Sequence, residues 1–75
     1  MEIALNRLGL GVLAEVSQVG GNERLKNRLA EMGLVSGTKV CCRYRSPGGF
    51  VTALEFGGTV LALRTRDLKH IKVWC

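Results

Sequence analysis

Apolar and polar positions change period along this chain, and each change marks an element. Val12, Ala14 and Val16 alternate with Leu13 and Glu15. Period-two alternation predicts a strand with one buried face, here ending near Val19. From Asn22 to Gly33 the period lengthens. Leu25, Leu29 and Met32 recur at i, i+4 and i+7, one stripe of a helix. Arg24, Lys26, Asn27, Arg28 and Glu31 cover its other faces. The strand period then returns. Val40, Cys42 and Tyr44 face one way, and Lys39, Cys41, Arg43 and Arg45 the other. Phe50, Thr52, Leu54 and Phe56 stand opposite Val51, Ala53 and Glu55. "TVLALRT" continues as a strand, "RDLKH" makes one helical turn, and "IKVWC" ends the chain with Ile71, Val73 and Cys75 on one face. The first residues, "EIALNRLGLG", form a docking segment anchored by Ile3, Leu5 and Leu8.

The residues between these runs support the same division. Gly20-Gly21 interrupts the first strand, and Asn22 can cap the helix, its side-chain oxygen accepting from an orphaned N–H. Glu23 in the first turn suits the positive end of the helix dipole. Gly33 sits where a left-handed C-terminal cap needs a residue without Cβ, and Leu34 can fold back on the last turn. Leu29 and Met32 are core candidates. "SPGG" is a turn by its chemistry, and Gly57-Gly58 a two-residue hairpin loop. Mainly β structure follows, with about five short strands and one helix over about residues 22–33. One domain, 1–75, is expected as a small, strongly bent barrel, whose closure would remove exposed strand edges.

Composition narrows the function classes. A chain of 75 residues buries only about 60% of its unfolded surface, but a 47% hydrophobic share favours a packed core over disorder. The net charge of +5 suits an acidic protein, a nucleic acid or an anionic membrane. Glu2, Arg7 and Glu15 interrupt the N-terminal stretch, so neither a signal peptide nor a membrane span is read there. Three cysteines, two of them adjacent, fit a reduced cytoplasmic chain with free thiols.

Chemistry is sparse. No Ser-His-Asp set, phosphate-binding loop or poised carboxylate pair occurs, so no catalytic residue is assigned and the chain is read as no enzyme. His70, the sole histidine, is expected to be solvated or hydrogen-bonded. Metal sites need three or four convergent ligands, and no such spacing is found, so neither a metal nor a cofactor is assigned. Arg64 is expected to make a structural salt bridge or carbonyl contact. The remaining basic residues are read as mainly solvated. Few aromatics are available to stack bases, and no nucleic acid is expected.

Two motifs bear a resemblance. "RLAEMGLVSGTKV" (Arg28 to Val40) and "GGTVLALRTRDLKHIKV" (Gly57 to Val73) resemble the FeoA family, whose pattern reads R-L-x-x-M-G-L-x-P-G-T-x-V and then G-x-x-x-A-L-R. Ser36 departs from the usual proline, and "RSPGGF" is shorter than the family's loop. The resemblance implies an SH3-like barrel and a cytoplasmic accessory role in bacterial ferrous-iron uptake. The implied partner is the cytosolic GTP-binding domain of a FeoB-type membrane transporter. The expected partner-binding residues are Leu25 as anchor, Arg24, Lys26 and Arg28 as a basic rim, and Met32 and Leu34 at the following corner. Such an apolar anchor inside a polar rim is how binding hot spots are usually built. Weak self-association is left open and direct membrane insertion is not expected. A small basic barrel for nucleic acid and a freestanding repressor-type regulatory domain are the alternatives.

Overall fold

The computed structural model describes residues 1–75. Six antiparallel strands form one sheet in the order β1-β6-β2-β3-β4-β5. They are β1 (Glu2–Ala4), β2 (Leu13–Val19), β3 (Lys39–Arg45), β4 (Val51–Phe56), β5 (Thr59–Arg64) and β6 (Ile71–Trp74). The helix α1 (Glu23–Glu31) joins β2 to β3, and two 3-10 turns, Leu5–Arg7 and Thr65–His70, follow β1 and β5. The extra strand is the docking segment. Its first three residues pair with β6, Ile3 opposite Val73. Three residues are too few for a period to show in sequence.

The core fills the inside of the bent sheet. Val16, Val40, Cys42, Leu54, Ile71 and Val73 point in from the strands, and Leu5, Leu8 and Leu68 close over them from the two 3-10 turns and their flanks. Thr52 is the one buried polar residue. Its hydroxyl shares a 2.7 Å hydrogen bond with Thr65, so it is not left with an unmet bond.

Two bulges decide which residues face this core. In β2, Ser17 is inserted between Val16, opposite Val73, and Gln18, opposite Lys72. An extra residue shifts the two-residue period by one. Val16 and Val19, three apart, therefore both face inward against Val73 and Ile71. In β3 the inserted residue is Arg43, between Cys42 and Tyr44. Tyr44, expected on the Cys42 face, is therefore 58% exposed. Arg45, expected outside, turns in opposite the buried Thr52. Its guanidinium donates to the carbonyls of Asn6 at 3.3 Å and Leu8 at 2.9 Å. The structural carbonyl contact expected of Arg64 thus belongs to Arg45, while Arg64 is exposed and makes no salt bridge.

Other expectations fail at element ends, where the period has no ladder to enforce it. Val12 precedes β2 and is exposed, and Phe50 precedes β4 and is 77% exposed. Cys75 lies beyond β6 and is exposed, whereas Ile71 and Val73 are buried. Closure also differs from expectation. β1 and β5 do not pair. The open side of the barrel is spanned by the Thr65–His70 turn, which packs on β1, β5, β6 and the Leu5–Arg7 turn, and by the Arg45 bonds. β5 remains a free edge.

Candidate functional site

The helix and the corner after it are built from local rules. Asn22 holds an extended conformation and its side chain accepts from the Leu25 N–H at 2.8 Å. Just before it, Gly21 has φ +92, and a Cβ there would stand 3.2 Å from the Leu25 side chain and 3.4 Å from the His70 ring. The positive φ favours glycine, and a Cβ there would also push the Leu25 side chain aside by a few tenths of an ångström. At the other end Gly33 has φ +94. The Leu34 N–H reaches the Leu29 carbonyl at 2.9 Å and the Gly33 N–H the Ala30 carbonyl at 3.0 Å. This 6→1 and 5→2 pair is the Schellman cap.

The next turn fastens the corner to the sheet. Thr38 N–H bonds the Val35 carbonyl at 3.1 Å, and the Thr38 hydroxyl accepts from Val35 N–H and donates to the Gly33 carbonyl. Ser36, at the position before Gly37, donates its hydroxyl to the Ser17 carbonyl at 3.1 Å. That is the carbonyl of the bulged residue in β2. A side-chain bond therefore does here what the ring of a proline does by restricting φ.

These constraints leave most of α1 uncovered. Leu29 is its only buried residue. Leu25 is half-buried, packed on the core's edge over Gly21 and His70. It lies in a shallow depression of about 210 Å³ with Arg24, Arg28, Asp67 and His70. Arg24 and Arg28 are exposed, with no carboxylate within salt-bridge distance. Lys26 lies on the other flank, half-buried and 3.7 Å from Glu23, an exposed pair worth little. There it lines a second depression, about 300 Å³, with Ala30, Leu34 and Val35.

Two expected positions change. Met32 is not in the core. It is the C-cap residue and is 44% exposed, because the helix ends before the stripe completes its next turn. Leu34 is 1% exposed, held inward by the Schellman cap, so it floors the second depression and offers almost no surface of its own. Asp67 and His70 join the site from a turn more than thirty residues along the chain. No local pattern points to them; only the packing of that turn beside Gly20-Gly21 does, with the Gly20 N–H on the His70 carbonyl at 2.7 Å.

Nothing near α1 is arranged for reaction. No three His, Cys, Asp or Glu side chains converge. The perturbed titrations lie elsewhere: burial pushes the Cys42 thiol up against the opposing pull of Arg45, and the hydrogen bond to Glu55 raises Arg43 on the outer sheet face. No helix is long and apolar enough to cross a membrane. The surface presents a half-buried leucine beside two arginines that form no salt bridge, with Asp67 in the same depression.

The FeoA domain model matches residues 3–74. The chain belongs to the FeoA family. That family is associated with ferrous-iron transport, and the fold is the SH3-like barrel of its members. FeoA from Chlorobium tepidum is 30% identical with a TM-score of 0.90, over 95% of this chain and 68% of that one. FeoA from Stenotrophomonas maltophilia, solved with zinc and described as an SH3 domain protein and candidate ferrous iron transport activating factor, is 32% identical. Its TM-score is 0.81, over 97% of this chain and 88% of that one. A manganese-dependent transcriptional repressor shares the barrel at 12% identity and a TM-score of 0.86, over 96% of this chain and 40% of the repressor. That likeness is one of fold alone. No curated protein matches the chain.

Proposed function

We propose that this FeoA protein is a non-catalytic accessory factor of ferrous-iron uptake. It acts in the cytoplasm by binding the cytosolic GTP-binding domain of a FeoB-type transporter and modulating it. Family membership supports the setting. The observation that carries the contact is the half-buried Leu25 between the unpaired Arg24 and Arg28 on a helix with one buried residue. The leucine supplies apolar area to a partner pocket, and the arginines speed encounter with an acidic surface. Lys26 extends the basic rim, while Met32 and Val35 add exposed apolar area past the helix end.

A calorimetric titration against that transporter domain, with and without a non-hydrolysable GTP analogue, tests the reading. Leu25→Gln should weaken binding by at least about 30-fold, the range for losing a hot-spot residue. Arg24→Glu with Arg28→Glu should slow association and flatten its salt dependence. Absence of binding in every nucleotide state refutes the proposal.

A further inference from the structure

The sheet has two edges, and they differ. β1 has three residues and carries Glu2, too short to serve as a template. β5 has six, in unbroken register with β4 from Val51–Arg64 to Phe56–Thr59. β2 and β3 are bulged, and β5 is not. From Thr59 to Leu63 it contains no charge and no proline, and Val60 and Ala62 are exposed. With β4 as its only strand neighbour, it leaves a row of backbone N–H and C=O groups facing outward. Between Thr59 and Leu63 none of the usual devices that blunt an edge is present.

The largest depression on the molecule, about 490 Å³, opens where this edge ends. Phe50, Val51, Arg64, Thr65 and Arg66 line it. Phe50 stands 77% exposed on the loop before β4. Neither arginine has a carboxylate within salt-bridge distance, and no acidic residue lines the cleft. We infer that β5 and this cleft form a second docking surface, for an extended acidic segment of a partner protein. The segment adds as a strand along β5, seats a carboxylate against Arg64 and Arg66, and lays an apolar side chain on Phe50.

Main-chain bonds supply affinity in this mode of recognition, and alternate side chains supply specificity. Arginine forks suit a carboxylate because they bond it bidentately. A second copy of this chain fits less well. Each copy carries +5, and pairing β5 with β5 brings no acid to either pair of arginines, since the strand contains none. The surface is independent of the Leu25 face.

The test is an NMR titration of the labelled protein with the capped synthetic peptide Glu-Val-Thr-Val-Glu-Val-Thr. Shifts and slowed amide exchange are expected at residues 59–66 and at Phe50, with affinity falling as salt rises. Arg64→Glu with Arg66→Glu should weaken binding at least about tenfold. N-methylation of the peptide at alternate residues should do the same for one of the two alternating sets, whereas Leu25→Gln should leave binding unchanged. Four results overturn the inference. They are no shift at millimolar peptide, equal binding of the peptide with lysine in place of glutamate, undiminished binding by both N-methylated peptides, or tighter binding of a single-stranded RNA oligonucleotide at these residues.

Discussion

The helix and the sheet are held by different physics. Val40, Cys42, Leu54, Ile71 and Val73 on three strands have no exposed surface at all, and a continuous ladder through β2 joins those strands. α1 buries only Leu29 fully. Its position comes from its ends, Asn22 at the start and Gly33, Leu34 and Thr38 after it. Burial stabilises the sheet; capping and short connections orient the helix. A helix fixed by its ends keeps its faces free, which is what a contact surface needs.

The largest expected effect probes the sheet side of this contrast. Leu54→Ala should cost about 3–5 kcal/mol and lower the urea midpoint in one cooperative transition. Leu29→Ala should cost less, about 2–3 kcal/mol, because α1 can settle partly into the space. Native-state hydrogen exchange should show α1 amides accelerated more than those of β4. Equal acceleration everywhere would erase the distinction between helix and sheet.

Arg45→Met comes next. It removes charged donors from the Asn6 and Leu8 carbonyls, worth about 1.5–3 kcal/mol, and should loosen the 5–8 segment in exchange while leaving the β3–β4 ladder protected. Asn22→Ala should cost about 1 kcal/mol. Its exchange signature should be confined to the first turn of α1, sharpening the view that the ends hold the helix.

The smallest effect is a pH dependence located wholly on the sheet side. Burial raises the Cys42 thiol, so the folded chain keeps its proton longer than the unfolded chain. That contribution to stability is complete below about pH 8.5, the ordinary thiol value, and is lost as pH rises through the raised folded value. Urea midpoints of the wild type should fall on that alkaline side, and those of Cys42→Ala should fall less.

The elements that local chemistry controls were legible in the residues. Asn22 and Gly33 bound α1 because a cap needs a side-chain acceptor at one end and a left-handed backbone at the other. Thr52, Leu54 and Phe56 face inward as their alternation predicts, since β4 runs without a bulge in its own chain. Met32 was misplaced because a period says which positions share a face but not where the helix stops. Of the expected contact residues, Arg24, Leu25 and Arg28 share one depression, Lys26 and Leu34 line another, and Met32 stands apart from both.

By itself the sequence determined five of the six strands, the capping residues of the helix, the tight turns and the family. All of these depend on residues close in the chain. Tertiary structure alone decided the two bulges, because an inserted residue is defined only against the strand it fails to pair with. It therefore also decided that Arg45 turns inward, that β5 stays an open edge, and that Asp67 and His70 stand beside Leu25. Each of those facts is a contact between distant segments, and no local period encodes it.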